Sequence, residues 1–317
     1  MRVLFCGSGG FALPSLEKID NSGHDIVSVI TQPARKAGRG GRLRPTQVAD
    51  LGRKLAIEII ETPDINAPDI VEIVGGLRPD VIFVVDFGQK VLSQIRDIAR
   101  LGAFNLHGSL LPELRGAAPV NWAIIQGLET TGVTTFSLVD KMDAGDIYLQ
   151  ELALIDPNET ADELKARLAI IGAELAEKTL GELAGGGLNP TVQDESKVTH
   201  ARRMTKADGF VNFGDSADSI RRLIHGTYPW PGARVVFAPS GRDTLPVVLA
   251  RATVAPGPAL GAPGIVDDEL CVSTGDGRVE ILQIKPAGKR LMSWRDFANG
   301  YRIRPGDKFL DSIELSI

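Results

Sequence analysis

The chain has 317 residues, about twice the length of a typical domain, so two domains are expected. With 43% hydrophobic and 24% charged residues, its composition excludes a disordered, collagen-like or coiled-coil protein. Its 35 basic and 40 acidic side chains leave a net charge of -5, so overall charge does not draw it to nucleic acid, although a local basic patch can. Two distant cysteines, Cys6 and Cys271, argue against both a disulfide framework and a cysteine-ligated metal site. The start does not look like a signal peptide, and no apolar run approaches the roughly 20 residues that span a bilayer. These features predict a cytoplasmic globular protein without a metal.

Val3-Leu4-Phe5 has a short buried-strand pattern that runs into Gly7-Ser8-Gly9-Gly10. Gly7 to Ala12 fits G-x-G-x-x-A, a dinucleotide fingerprint that would suggest an NAD-dependent oxidoreductase. Two details favour a plain tight turn. Pro14 sets the helix start close behind, and the second strand, Ile26 to Ile30, ends in Thr31-Gln32-Pro33 without an acid for a ribose hydroxyl.

Arg35, Lys36, Arg39, Arg42 and Arg44 then put five cations in a glycine-rich stretch, with no acid between Gln32 and Gln47. Such a loop is either simply solvated or a holder of phosphates. Val81 to Val85 is continuously apolar, as expected of a strand buried on both faces of a parallel sheet. Helix-length segments around Pro14 to Asp20, Gln47 to Leu55 and Asp69 to Val74 lie between the strands. This alternation predicts a doubly wound, mostly parallel, Rossmann-like α/β sheet.

The densest chemistry lies in Phe104-Asn105-Leu106-His107-Gly108-Ser109-Leu110-Leu111-Pro112, followed by Arg115-Gly116-Ala117-Ala118-Pro119. On a strand, Asn105 and His107 share a face because side chains alternate with period two. An amide can stabilise a developing oxyanion, and an imidazole can move a proton near neutral pH. A carboxylate follows in Lys141-Met142-Asp143-Ala144-Gly145-Asp146, after the strand-like Val133 to Val139. From spacing alone, a structural histidine and ordinary turn acids fit as well. With no nucleophilic serine elbow, direct transfer between bound substrates is favoured over a covalent intermediate.

Thr160 and Glu163 form a capping box for a long helix carrying Leu164, Leu168, Ile171, Leu175 and Leu180. Gly185-Gly186-Gly187 breaks it. The predicted division is a catalytic domain over 1–187, a linker over 188–205 and a β-rich domain over 206–317. Strands are expected at Ala233 to Ala238, Pro246 to Val254, Leu270 to Ser273 and Val279 to Ile284, with a hairpin turn at Asp276-Gly277. A small barrel or sandwich fits these runs. From Met204 onward, 14 basic residues face 13 acidic ones, so this part is less acidic than the rest.

The motifs Asn-x-His-x-Ser-Leu-Leu-Pro, Arg-Gly-Ala-Ala-Pro-Val and Asp-Ala-Gly-Asp closely resemble those of the folate-dependent formyltransferases. Within them, the chain resembles the family that acts on methionyl-tRNA over nearly its whole length. Ala37-Gly38-Arg39-Gly40 and Lys285-Pro286-Ala287-Gly288-Lys289 select that family, and Gly7 to Leu16 and Tyr228-Pro229-Trp230-Pro231 agree with it. Gly9-Gly10 departs from it, because the family usually has proline followed by an acid.

The resemblance implies transfer of a formyl group from 10-formyltetrahydrofolate to the α-amine of methionyl initiator tRNA, for translation initiation. It implies catalytic roles for Asn105, His107 and Asp143, and folate contacts from Ser109, Leu110, Leu111 and Pro112. It implies tRNA contacts from Arg35, Lys36, Arg39, Arg42 and Arg44, and from Lys285, Lys289 and Arg290 on an OB-like C-terminal barrel. A monomer without DNA or membrane partners is expected. A sugar-nucleotide formyltransferase shares the chemistry but has no need of the basic loop. A non-catalytic RNA-binding protein has no need of His107.

Overall fold

A computed structural model describes residues 1–37 and 41–311. The first elements are β1 (Arg2–Gly7), α1 (Leu13–Asp20), β2 (Asp25–Thr31), β3 (Arg35–Ala37), β4 (Arg42–Arg44), α2 (Gln47–Lys54), β5 (Ile59–Glu61) and α3 (Pro68–Leu77). Next come β6 (Val81–Val85), α4 (Ser93–Arg96), β7 (Ala103–His107), α5 (Pro119–Ile125), β8 (Thr130–Ser137), β9 (Ile147–Leu154) and α6 (Ala161–Gly185). The last are α7 (Ala217–Thr227), β10 (Ala233–Ala238), β11 (Leu245–Ala255), β12 (Val272–Ser273), β13 (Arg278–Pro286), β14 (Met292–Ser293), α8 (Trp294–Tyr301) and β15 (Lys308–Leu310). They form two compact units. One comprises Met1–Gly116, Thr131–Ala153 and Lys165–Ala201, the other Ala117–Thr130, Leu154–Leu164 and Arg202–Ile317.

The first unit holds a sheet of order β5-β2-β1-β6-β7-β8-β9. Its first five strands run parallel, and β8 is antiparallel to β7. All of Val81–Val85 is buried, as a central parallel strand requires. Leu4, Cys6, Ile82 and Val84 pack with Ile70 and Val74 of α3. On the opposite face, Phe83 meets Phe5 edge-on at 5.5 Å and stacks on Phe104 at 4.6 Å. The chain winds outward from β1 through β2 to β5, then returns to β6 on the other side of β1. That reversal makes the carboxyl ends of β1 and β6 a topological switch point, the usual place for a ligand in such sheets.

The second unit is a nearly closed antiparallel barrel of order β12-β13-β11-β10-β15, with β14 paired to β13. Ile265 bridges Lys308 of β15 and Val266 bridges Val272 of β12, so one short segment links the two edge strands. Phe213, Phe237, Phe297 and Phe309 fill the core. The predicted strands are present, and Gly277 takes the positive φ of +80° that the Asp276-Gly277 turn requires. Helices α7 and α8 were not foreseen among these β runs. The signal for α7 was nonetheless present: Ser216 caps Ser219 N–H, and Ala217, Ile220 and Ile224 form its buried stripe. The expected capping box is formed, with Thr160 N–H donating to Glu163 Oε2 at 2.8 Å and Glu163 N–H to Thr160 Oγ1 at 3.4 Å.

Candidate active site

Strand β7 sets the site. Pleating puts Asn105 and His107 on one face, where Asn105 pairs across to Phe136 and His107 to Thr134. The His107 ring lies edge-on to Phe136 at 6.4 Å. Leu106 points the other way and packs where a Cβ on Gly172 would lie, 2.6 Å from Leu106 Cδ2. Asn105 is the one residue of β7 that keeps solvent-accessible surface beyond the buried range. His107 is buried, and its Nε2 lies 3.0 Å from the carbonyl oxygen of Leu114. A carbonyl only accepts, so Nε2 carries a proton.

The turn after β7 is braced from beneath. Thr134 Oγ1 donates to Ser109 O at 2.7 Å and accepts Leu111 N–H at 3.1 Å, while Gln150 Nε2 donates to Leu111 O at 2.9 Å. Ser109 and Leu111 are buried, the Ser109 hydroxyl donating to Glu113 O at 2.6 Å. Leu110 and Pro112 are half-buried and keep surface for a ligand.

Asp143 lies in the turn between β8 and β9, with a left-handed φ of +52°. Its Oδ2 accepts the Gly116 N–H at 2.8 Å. Leu114-Arg115-Gly116 therefore engages His107 at one end and Asp143 at the other, bringing together side chains 36 positions apart in sequence. Gly116 (φ +127°) has to be glycine, because a Cβ there would lie 2.4 Å from Ala201 O. Sequence reasoning missed Gln193 and Glu195, which lie against this turn although they fall in the stretch read as linker. Their polar composition gave no sign of it. Lys141 and then Arg115 hold the Glu195 carboxyl down to about 2.

The glycine loop is a tight turn in which Asp86 takes three main-chain donors. Ser8 and Gly9 N–H both donate to Asp86 O at 3.1 Å, and Phe11 N–H to Asp86 Oδ2 at 3.3 Å. Amides that would cradle a pyrophosphate meet the carbonyl and the carboxylate of Asp86 instead, which disfavours a dinucleotide there. Among the described residues, no cluster of three or more His, Cys, Asp or Glu could hold a metal ion.

The described residues on either side of 38–40 form two short strands. Strands β3 and β4 form an antiparallel hairpin with Arg35 opposite Arg44, Lys36 opposite Leu43 and Ala37 opposite Arg42. Arg39 lies outside the described residues. Arg35, Lys36, Arg42 and Arg44 are exposed. A like-charged pair directly across a hairpin is unfavourable until an anion joins it. Because β1, β2, β6 and β7 are parallel, the hairpin leaves the same sheet edge that carries His107. In the second unit, Lys285, Lys289 and Arg290 rim a cavity of about 730 Å³. Phe210, Tyr228 and Val247 contribute its apolar wall.

Residues 1–180 match the family described as formyl transferase, and residues 203–302 the formyl transferase C-terminal domain. The methionyl-tRNA formyltransferase of Solibacter usitatus is 36% identical over 313 residues, covering 97% of this chain and 98% of that protein. That of Koribacter versatilis is 38% identical over 310 residues, with 97% and 98% covered. Among solved structures, the sugar 3N-formyl transferase WlaRD, in the presence of dTDP and 5-N-formyl-THF, aligns with a TM-score of 0.66 at 17% identity, over 92% of this chain and 99% of that one. HypX from Aquifex aeolicus in complex with tetrahydrofolic acid aligns with a TM-score of 0.62 at 17% identity, over 95% of this chain and 47% of that one. At such identities the two structures speak for the fold alone.

Proposed function

The chain belongs to the methionyl-tRNA formyltransferases of the formyl transferase family, and on that premise we propose how its residues carry the reaction. The formyl group of 10-formyltetrahydrofolate passes to the α-amino group of methionyl initiator tRNA, for translation initiation. A bond forms between the amine nitrogen and the formyl carbon, the bond from that carbon to N10 breaks, and one proton moves from the amine to N10. Asn105 donates its amide N–H to the formyl oxygen as negative charge develops there. His107 is held with its Nε2 proton on Leu114 O, and protonation at Nδ1 makes it a second donor. Asp143 engages Gly116 N–H through Oδ2 and uses Oδ1 to take up the departing amine proton, directly or through water.

Ser109, Leu110, Leu111 and Pro112 form the folate-contacting turn. The part-exposed Leu110 and Pro112 supply apolar surface beside Asn105, and the buried Ser109 and Leu111 keep the turn in shape. Arg35, Lys36, Arg39, Arg42 and Arg44 take acceptor-stem phosphates. Lys285, Lys289 and Arg290 take further phosphates on the barrel. Residues 1–187 act as the catalytic domain, 188–205 as the connection and 206–317 as the tRNA-binding domain. The enzyme works as a cytoplasmic monomer; among the described residues no helix is long and apolar enough to cross a membrane.

The single observation that carries the catalytic assignment is the Leu114-Arg115-Gly116 link between His107 and Asp143. The test is a formyl-transfer assay with methionyl initiator and methionyl elongator tRNAs side by side. Strong preference for the initiator is expected. Absence of transfer to tRNA, together with transfer to an amino-sugar nucleotide, overturns the proposal.

A further inference from the structure

We infer that Gln193 is a positioning residue for formyl transfer, acting by fixing the turn that carries Asp143; this rests on the proton-accepting role proposed for Asp143. The side chain of Gln193 is buried. Its Oε1 accepts from Arg115 Nε at 3.0 Å and from Arg115 Nη2 at 2.7 Å. Its Nε2 donates to Asp143 O at 2.9 Å and to Gly145 O at 2.7 Å. Both amide hydrogens and both oxygen lone pairs are used. Flipping the amide would set NH2 against a guanidinium and oxygen against two carbonyls, so only one orientation satisfies the network.

The turn needs this hold. Asp143 is a non-glycine residue in the left-handed region, a conformation that persists only where its surroundings impose it. Lys141 and Met142, just before it, are exposed and contribute no core packing. The restraint comes from residues 191–201. Thr191 and Ile147 exchange main-chain hydrogen bonds at 2.8 Å, and Glu195 holds Lys141 at 2.7 Å and Arg115 at 2.9 Å. Further along, Leu114 N–H donates to Thr199 Oγ1 at 2.8 Å and Ala201 N–H to Arg115 O at 2.8 Å. Arg115 is the hub, and it sits between the carbonyl that holds His107 and the amide that holds Asp143. Gln193 thus ties the carboxylate's turn to the segment that orients the imidazole. Its link is to the geometry between the two groups rather than to either alone.

The test is a double-mutant cycle on the full-length protein, read in single-turnover formyl transfer to methionyl initiator tRNA. Gln193→Met keeps the side-chain volume and removes all four hydrogen bonds. Gln193→Glu keeps an acceptor for Arg115 but has no donor for Asp143 O and Gly145 O, so it serves if the first variant does not fold. Each is expected to lower the transfer rate by about 10- to 100-fold, with the concentration of 10-formyltetrahydrofolate at half-saturation within about threefold of wild type. In an Asp143→Asn background the same change should cost less than about twofold, because the group being positioned is already gone. Full activity in a folded Gln193 variant overturns the inference, as does a loss that multiplies with that of Asp143→Asn. Wild-type activity in Asp143→Asn alone is a separate failure: it removes the role of Asp143, and the inference with it.

Discussion

Asp86 occupies the volume that a side chain on Gly9 would need. A Cβ at position 9 would lie 2.0 Å from Asp86 Oδ2, and one on Gly10 would lie 2.8 Å from Gln47 Oε1. Asp86 itself takes a positive φ of +46°, leaves the end of β6, and caps the first turn after β1 with both its carbonyl and its carboxylate. Lys165 stands 3.4 Å from the same oxygen. A carboxylate thus serves this turn from a strand that is distant in sequence.

Gly9→Ala should therefore destabilise the protein, and Asp86→Ala should relieve most of that cost. The coupling between them is expected to be about 1–2 kcal/mol, within the range for residues in contact. Urea denaturation of both single variants and the double variant measures it. Additive effects would show that Asp86 does not constrain position 9.

Asn105→Ala should lower turnover by about 10²–10³-fold, as loss of an oxyanion donor does, with folate affinity largely kept. His107→Ala should cripple transfer as well, while circular dichroism remains that of wild type. A properly folded variant of either kind with turnover within a few-fold of wild type would remove that residue from the chemistry.

Arg35 and Arg44 face each other across the basic hairpin. Replacing both with alanine removes a like-charge repulsion, so the hairpin itself should not be weakened. Affinity for initiator tRNA should fall, and the log-log salt dependence should become shallower by about one unit per lost phosphate contact. Titrations at several salt concentrations read both quantities. Unchanged slope and affinity would remove Arg35 and Arg44 from the proposed phosphate contacts and leave Lys36, Arg39, Arg42, Lys285, Lys289 and Arg290 as the candidates.

His225 provides a pH prediction. It is fully buried in α7, its Nε2 accepts Ala252 N–H at 3.2 Å, and burial, with Arg221 and Arg251 nearby, pushes its pKa down to about 4. An unfolded histidine titrates near 6.5. Between those values the unfolded chain binds a proton that the folded one refuses, so stability falls as pH drops from about 6.5 to about 4 and this effect levels off below. The loss over that window is roughly 3 kcal/mol at most. His225→Met should be less stable at pH 7 but less acid-sensitive between pH 6.5 and 4. Parallel denaturation profiles for the two proteins would rule out His225 as the source.

What the sequence determined by itself is everything that neighbouring residues decide. The apolar run Val81 to Val85 had to be a doubly buried strand, and period two had to put Asn105 and His107 on one face. Thr160 and Glu163 marked a helix start from three positions apart. Asp143 was legible as a candidate through its motif, but its link to His107 was not. That link runs through Leu114 O and Gly116 N–H, main-chain atoms that no side-chain pattern reports. Tertiary structure alone decided that Asp86 plugs the glycine loop, that Arg35 pairs across to Arg44, and that residues 191–201 brace the turn of Asp143. The physical reason is the same in each case. A polar side chain such as Gln193 has donors and acceptors that match many partners. Only the path of the backbone selects which of them, 50 or 78 residues away, come within hydrogen-bonding distance.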